Sequence, residues 1–170
     1  MKHECSQTDE KYVSLAVEEA NKSELLMKHG CVAVSGGKIV GRGCNTSRTY
    51  SKDGLIRNCC SCHAEVNVMR QCIKNDRTKL TLYIVRVSSE GVIRNSSPCN
   101  MCINIMKAFS VKYIIYSTDE GWCKCKVNEY SKMFSCSGER FLSSEERVDS
   151  LKRIVPVFEP KSHSFYKRVK

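Results

Sequence analysis

The stretch CCSCHAEV, residues 59–66, places three cysteines before His63 and a glutamate two residues after it. Apolar residues recur at helical spacing from His63 to about residue 73, which predicts a helix that begins at the histidine. Further along, SPCNMC at residues 97–102 also predicts a helix start, because proline is favoured at the first helical position. We therefore expect two groups of potential metal ligands at two helix N-termini.

The segments around these two helices predict strands. The run CVAVSGGKIVGRGCN (31–45) predicts two short strands joined by a tight turn at its paired glycines. The runs LTLYIVRV (80–87) and KYIIY (112–116) have the β-branched and aromatic content of buried strands. An amphipathic helix is expected over residues 9–27, because apolar side chains form one stripe there.

The resulting order of elements, α-β-β-α-β-α-β, predicts a layered α/β domain in which helices cover a sheet. The 170 residues contain no internal repeat and no obvious linker, which favours a single domain over residues 1–170. Residues 118–150 carry a weak pattern that we expect to be helical in part.

His63, Cys99 and Cys102 are the expected ligands of a metal ion. Each helix follows a strand and its loop, so both N-termini can open at the same edge of the sheet. One imidazole and two thiolates suit zinc, and three protein ligands with an open fourth position are typical of a catalytic zinc site. A thioredoxin-like redox pair of Cys99 and Cys102 is the alternative, and it leaves His63 without a role.

Glu65 is the candidate for acid–base chemistry, because it lies in the first turn of the helix that begins at His63. Residues two apart do not share a lateral helix face, but at a helix end both side chains can reach a target beyond the helix. Glu65 could then contact a zinc-bound water without binding zinc, which is the position of a proton shuttle.

The sequence HAE followed by SPCNMC resembles the zinc-dependent cytidine/deoxycytidylate deaminase superfamily, whose signature is H-x-E…P-C-x-x-C. The similarity covers about residues 9–118 and leaves 119–170 as a C-terminal extension of the same domain. It implies a three-layer α-β-α fold, with a central mixed sheet of about five strands and helices on both faces. It also implies that the three ligands hold Zn²⁺ and that Glu65 protonates the ring nitrogen and shuttles protons.

The resemblance implies contacts with the substrate as well. Asn45 matches the asparagine of the family that contacts the sugar, and the backbone at Ala64 and around Ser97 would grip the edge of the base. Because members of this superfamily often assemble as dimers or larger, a homo-oligomer is expected.

The subfamily decides the substrate. The stretches 63–69 and 98–117 are most similar to deoxycytidylate-type deaminases, which implies a hydrolase that removes the exocyclic amine of a cytosine nucleotide to give the uracil form and ammonia. LYIVRV followed by PCNMC is also similar to tRNA adenosine deaminases. A nucleic-acid base deaminase, acting on tRNA adenosine or single-stranded cytosine, is therefore an alternative. A catalytically silent, zinc-stabilised binding module is the third hypothesis, and the intact Glu65 disfavours it.

The net charge of +10 indicates an anionic partner, such as a nucleotide phosphate, RNA or single-stranded DNA. Residues 160–170, PKSHSFYKRVK, place aromatic residues among cations, which suits single-stranded nucleic acid; a solvated basic terminus is the alternative. No apolar run is long enough for a membrane span, and the N-terminus has no hydrophobic signal region. We therefore expect no membrane partner and a reducing compartment, cytoplasmic or nuclear.

Further cysteines could form a second, structural zinc site if their two segments meet in the fold. Burial as small apolar side chains is the alternative for each of them. These cysteines are Cys59, Cys60, Cys62, Cys123, Cys125 and Cys136.

Overall fold

The computed structural model describes residues 6–57, 59–75, 79–131 and 136 of the chain. The helices are α1 (Gln7–Asn21), α2 (Ala64–Lys74) and α3 (Asn100–Ala108), and a single 3-10 turn covers Val127–Glu129. The strands are β1 (Lys28–Ser35), β2 (Lys38–Cys44), β3 (Leu80–Val87), β4 (Ile93–Arg94), β5 (Val111–Thr118) and β6 (Gly121–Lys126).

The strands form one mixed sheet in the order β2-β1-β3-β5-β6, with β4 paired to β3. Strands β3 and β5 are parallel and are connected through α3, whereas the other neighbouring pairs are antiparallel. Helix α2 runs into β3 and α3 follows it, so both helices begin at the edge of the sheet where β3 ends. The predicted mixed α/β sheet is confirmed.

Helices cover both faces of the sheet, as expected for three layers. Successive strand residues point to opposite faces, so two cores alternate along each strand. Helix α1 packs on one face, against the apolar side chains of Val32, Val34, Tyr83, Val85, Val87 and Ile115. Helices α2 and α3 pack on the other, against Cys31, Ala33, Leu82, Ile84, Ile114 and Tyr116.

Glycine is required at two places in this fold, one where α1 packs on the sheet and one in the turn between β1 and β2. At Gly30 in β1, an added Cβ would meet the carbonyl oxygen of Ala16 at 1.9 Å, so only glycine lets α1 lie directly on the strand. Gly36 and Gly37 have φ of +55° and +76°, which is the backbone that a two-residue type I′ hairpin turn requires. The predicted hairpin is therefore formed by β1 and β2.

The predicted helix over residues 9–27 is wrong in its C-terminal end, because α1 ends at Asn21. The chain turns there because the Ser23 hydroxyl accepts a hydrogen bond from the Leu25 amide and donates one to the Asn45 carbonyl oxygen. At the other end, the side chain of Ser6 caps the helix by accepting from the Asp9 amide.

The expectation of partial helix over residues 118–150 is wrong for residues 121–126, which form strand β6 antiparallel to β5. The alternation in GWCKCK puts half-exposed residues on an edge strand, so no continuous apolar run marks it. The short strand β4 is also unpredicted. Residues 132–135 and 137–170, including the basic tail, lie outside the described residues.

No helix in the described ranges combines the length and the apolar character that crossing a membrane requires.

Candidate metal centre

The candidate ligands lie where the two helices on the α2/α3 face begin. His63 is the N-cap of α2 and Cys99 is the N-cap of α3, both with extended backbone and neither with a side-chain capping hydrogen bond. Their side chains are therefore not used to cap their own helices. The unpaired amides of a helix N-terminus favour negative charge nearby, so thiolates are stabilised in this place.

The segment before α3 is held to the sheet by two buried serines. The Ser117 hydroxyl donates to the Arg94 carbonyl oxygen at 2.6 Å, and the Ser96 hydroxyl donates to the Ile84 carbonyl oxygen at 2.8 Å. The amide of each serine also bonds to the other residue, at 2.9 Å in both directions. These bonds set where Pro98 and Cys99 leave the sheet to begin α3.

The distances among the three ligand atoms fit zinc. His63 Nδ1 lies 3.2 Å from Cys102 Sγ and 3.5 Å from Cys99 Sγ. All three ligand atoms lie within 4.8 Å of one another. Tetrahedral zinc with ordinary bond lengths places its nitrogen and sulfur ligands about 3.6 Å apart. The donor set, one imidazole and two thiols, is also one that zinc prefers.

The electrostatics of these residues favour a cation at their centre. Burial lowers the pKa of the His63 imidazole, but hydrogen bonds with Cys136 and Cys99 and the charge of Glu65 outweigh burial and raise it to about 11. The hydrogen bond from Cys102, together with burial, raises the pKa of the Cys99 thiol to about 12. Groups with such pKa values release protons on binding a metal, so the zinc affinity of the site rises with pH.

Glu65 lies in the first turn of α2 and is only 5% exposed. Its carboxylate contacts the Cys102 thiol. The hydrogen bond with Cys99 lowers the pKa of this thiol, but burial and then the charge of Glu65 outweigh it and raise the pKa to about 12. Among the described residues Glu65 forms no ion pair.

Two further residues, His29 and Arg86, lie at this edge of the sheet. They are neighbours across strands β1 and β3, on the same face as the ligands. The His29 ring interacts with Glu65 and with His63, and burial lowers its pKa. The Arg86 Nε is buried and has no hydrogen-bond partner in the described structure, so a cationic donor is available beside the site.

The sequence pattern alone singles out neither His29 nor Arg86. Each lies within or next to a run of apolar strand residues, where a polar side chain has no helical or motif spacing to identify it. Their pairing across two strands, which the fold alone determines, brings them together. The signal that could have found them is the alternation of strand residues, which puts both on the face that carries Glu65.

The three residues predicted to contact the substrate, Asn45, Ala64 and Ser97, differ in burial and in the hydrogen bonds that they already form. The Asn45 side chain is 7% exposed; its Oδ1 accepts from the His29 amide at 2.9 Å and its Nδ2 donates to the Met27 carbonyl oxygen at 2.7 Å. It thus holds the start of β1. Ala64 is the fully buried first residue of α2. The Ser97 amide donates to Asn95 Oδ1 at 2.8 Å, so this N–H already has a partner.

The described cysteines form one metal-type cluster, which is the set His63, Cys99 and Cys102. No cluster of three or more forms around Cys59, Cys60 and Cys62 within the same described residues, so no second zinc site is found there. Cys62 is buried and its thiol donates to the His63 carbonyl oxygen at 3.4 Å. None of the eleven described cysteines forms a disulfide.

Comparison with known proteins agrees with this geometry. The profile of the family described as "Cytidine and deoxycytidylate deaminase zinc-binding region" matches residues 6–118. A comparison with curated protein sequences finds no significant match.

Solved structures of similar proteins include a cytidine deaminase from Burkholderia pseudomallei, with a TM-score of 0.56 and 14% identity over 76% of this chain and 100% of that one. A cytidine deaminase from Mycobacterium tuberculosis has a TM-score of 0.50 and 15% identity over 75% and 97% of the two chains. The dCMP deaminase from the cyanophage S-TIM5, in complex with dCMP and dUMP, has a TM-score of 0.49 and 22% identity over 67% and 83%. The first two share the fold described above.

The match over more than half of the chain shows that this protein belongs to the cytidine and deoxycytidylate deaminase family. Members of this family are zinc-dependent hydrolytic deaminases, and the His63, Cys99 and Cys102 cluster provides a matching zinc site. The chain is therefore a zinc-dependent deaminase.

Proposed function

We propose that this deaminase acts on a cytosine nucleotide and releases ammonia to give the uracil form. The observation that carries the proposal is the position of Glu65: a buried carboxylate without an ion pair in the described structure, in contact with the Cys102 thiol at the zinc site. Such a carboxylate can accept and return a proton within the site.

In this proposal His63, Cys99 and Cys102 hold the zinc ion. Zinc supplies a Lewis acid that makes water a nucleophile at neutral pH. The Glu65 carboxylate takes one proton from the attacking water and delivers it to the ring nitrogen N3. It then takes the remaining proton from the hydroxyl now on C4 and passes it to the exocyclic amine; the C4–N bond breaks, ammonia leaves and the C4 carbonyl forms, so Glu65 ends the cycle in the state in which it began.

The residues that the family resemblance implies are the proposed contacts of the base and of the sugar. The backbone at Ala64 and around Ser97 faces the base in this proposal. Asn45 contacts the sugar. Because its Nδ2 carries a second hydrogen besides the one donated to Met27, it can keep its structural bonds and still donate to a hydroxyl.

Arg86 supports a nucleotide rather than a nucleoside as the substrate. Its Nε is buried and unpaired among the described residues, and it lies beside His29, which interacts with Glu65. A buried guanidinium donor without a partner costs free energy that a bound anion recovers. A phosphate oxygen is the anion that a nucleotide brings, and guanidinium binds phosphate well.

The experiment is ammonia release on a panel of cytosine, adenine and guanine nucleosides, their monophosphates, and short single-stranded RNA and DNA. Zinc content is measured on the same sample, and the Glu65→Gln variant serves as the blank. We expect turnover of a cytosine monophosphate by the wild type, and at least about 100-fold slower turnover by Glu65→Gln with zinc retained. Turnover of oligonucleotides alone would contradict the nucleotide assignment.

The role of Arg86 is tested by the ratio of kcat/KM for a monophosphate to that for its nucleoside. In Arg86→Gln we expect this ratio to fall about 10- to 100-fold, because a charged hydrogen bond to phosphate is lost. Arg94→Gln is the matched control: Arg94 is exposed and lies opposite Arg86 on strand β4. An equal fall for both substrates would assign Arg86 a structural role instead.

A nucleic-acid base is the second candidate substrate, and the net charge of +10 favours it. A protein that contacts many phosphates loses affinity steeply as salt rises. Binding of RNA or single-stranded DNA that weakens steeply between low and physiological salt would therefore favour this candidate.

A second copy of this chain is the proposed protein partner. Four apolar side chains are exposed at the edge of the sheet near the zinc site, and contact with a copy would cover them. They are Leu26, Met27, Val92 and Ile93. Light scattering coupled to size exclusion measures the assembly, and a monomer at assay concentration would contradict this partner.

A further inference from the structure

A cavity of about 450 Å³ lies outside the residues that the proposed function uses. Its walls come from two segments, the chain that directly follows Asn45 and the chain around the metal ligand His63. The lining residues are Thr46, Ser47, Arg48, Cys62 and Asn67. Cavities of this size hold small ligands, so a phosphate group fits together with part of the molecule that carries it.

Backbone hydrogen bonds place this cavity and Arg86 on opposite sides of Asn45. The Asn45 amide donates to the His29 carbonyl oxygen in β1 at 3.1 Å, whereas the Thr46 amide donates to the Cys62 carbonyl oxygen at 3.0 Å. Amides of successive residues in extended chain point in opposite directions, so Cys62 lies on the side away from β1. Strand β1 lies between β2 and β3, which puts Arg86 of β3 on the other side.

The walls of the cavity are held in place by contacts with α2. The Asn67 Nδ2 donates to the Cys44 carbonyl oxygen at 3.0 Å, which attaches the end of β2 to the helix. Further along the loop, Arg70 Nε pairs with Asp53 Oδ2 at 2.6 Å. The cavity is therefore formed before a ligand binds, and a preformed site avoids the cost of ordering a loop.

The chemistry of the lining favours an anion. Arg48 is exposed and forms no ion pair within the described ranges. The loop 46–57 has one acidic residue, Asp53, and that carboxylate is already paired with Arg70. The cavity thus offers two hydroxyl groups, one side-chain amide and one guanidinium, and none of its lining residues is acidic. These are the groups with which proteins contact phosphate oxygens.

We propose that this cavity binds a second phosphate of the substrate and that Arg48 recognises it. The inference rests on the proposed function, in which Asn45 contacts the sugar and Arg86 contacts a phosphate. Because the cavity and Arg86 lie on opposite sides of Asn45, the two phosphates are those on the 5′ and 3′ oxygens of one sugar. The substrate class is therefore a cytosine nucleotide with phosphate on both oxygens, either free or within a single strand.

The test compares equilibrium binding of cytosine 5′-monophosphate and 3′,5′-bisphosphate nucleotides to the zinc-loaded Glu65→Gln protein, whose slow turnover leaves the nucleotides intact. Calorimetry at one fixed salt concentration gives the ratio of the two Kd values. We expect the bisphosphate to bind about 10- to 100-fold more tightly, because it adds a charged hydrogen bond. Adding Arg48→Gln should bring this ratio close to one.

Arg57→Gln in the same Glu65→Gln protein is the matched control. Arg57 is an exposed arginine of the same loop, but it does not line the cavity, so the ratio should keep its value. A third probe, a trinucleotide with a central cytosine, carries phosphate on both sides of the target sugar. Tight binding of the trinucleotide as well identifies a strand as the source of the second phosphate, whereas tight binding of the bisphosphate alone identifies a free nucleotide.

A bisphosphate and a trinucleotide that both bind no more tightly than the monophosphate would overturn the inference, and turnover of the monophosphate would then still support the proposed function. An equal fall of the ratio in Arg48→Gln and Arg57→Gln would also overturn it, because the general charge of the loop would then explain the preference. If no nucleotide binds and the wild type releases no ammonia, the proposed function and this inference fail together.

Discussion

Two buried acidic side chains on opposite faces of the sheet, Asp9 and Glu65, have opposite surroundings. On the α1 face, Asp9 accepts hydrogen bonds from the Tyr83 hydroxyl at 2.7 Å and from Ser6 at 3.0 Å, and pairs with Lys124 at 3.3 Å. On the α2/α3 face, Glu65 is equally buried but forms no ion pair among the described residues.

The different surroundings of Asp9 and Glu65 indicate a structural role for the first and a functional role for the second. A buried carboxylate costs free energy unless hydrogen bonds and charge compensate it, and Asp9 is compensated within the protein. The Glu65 oxygens stay available for chemistry at the metal centre. Burying this carboxylate therefore lowers the stability of the fold. Replacing each acid by its amide should therefore affect different measurements.

The largest effect is expected for Glu65→Gln, which breaks the function of the α2/α3 face. The amide cannot accept or return the proton, so kcat should fall about 100- to 10,000-fold. Urea unfolding should show no loss of stability, since no ion pair is broken. Glu18→Gln, on the exposed side of α1, is the control for loss of one acidic charge. Retention of kcat would remove Glu65 from the mechanism.

Gly30→Ala tests the close contact of the α1 face and should lower the free energy of unfolding by about 3 kcal/mol. The added methyl group would lie 1.9 Å from the Ala16 carbonyl oxygen, so the backbone of α1 must move. In Gly43→Ala, on the α2 face, the nearest atom is the side-chain amide nitrogen of Asn67 at 3.0 Å. That side chain can shift, so chemical denaturation should show a smaller loss. Equal losses would contradict this account of α1 packing.

Asp9→Asn should lower the free energy of unfolding at neutral pH by about 2 kcal/mol, because a hydrogen-bonded charge is lost. Burial raises the pKa of Asp9, but hydrogen bonds from Tyr83, Ser6 and Lys124 outweigh it and hold the pKa below its usual 3.8. A depressed folded-state pKa stabilises the fold above 3.8, and this contribution is lost as the pH falls through the folded value.

The difference in stability between the wild type and Asp9→Asn should therefore shrink below about pH 4, as the wild-type carboxyl becomes protonated. Urea titrations at several pH values measure it, and kcat should stay at the wild-type level. A difference that stays constant down to pH 3 would show that the charge of Asp9 contributes nothing.

The smallest effect is expected for Tyr130→Phe, which removes one buried hydrogen bond at the edge of the α2/α3 face. The Pro98 carbonyl oxygen loses its donor, so the free energy of unfolding should fall by about 1 kcal/mol. Tyr50→Phe is the control, because Tyr50 is an exposed tyrosine. Unchanged stability in Tyr130→Phe would mean that water replaces the lost donor.

The sequence predicts most of the sheet and the metal ligands because both depend on local rules. Strands β3 and β5 are continuous apolar runs, and His63 and Cys99 occupy helix starts that a proline and apolar spacing identify. The roles of Glu65, Asn45, Ala64 and Ser97 stay predictions, which the variants above address.

What the sequence does not predict depends on contacts between distant segments. Strand β6 is a half-exposed edge strand, and its Cys–Lys alternation is too short to distinguish from a loop. His29 and Arg86 meet only because β1 and β3 pair in one register, in which a shift of one residue would separate them. Tyr130 reaches the Pro98 carbonyl oxygen, 32 residues earlier in the chain, through a contact that no spacing encodes.

The hydrogen-bonded serines Ser96 and Ser117 determine which part of the chain tolerates insertions and deletions. They fix the chain to the sheet just before Cys99, so the turn at residues 89–91, which precedes β4, can gain or lose residues without moving the ligand. Its tip at Gly91 is exposed, with φ of +79°, which makes it a permissive place for an inserted tag or fluorophore. The hydrogen bonds of these two hydroxyl groups thereby separate a turn whose length can vary from the segment before Cys99, whose position is fixed.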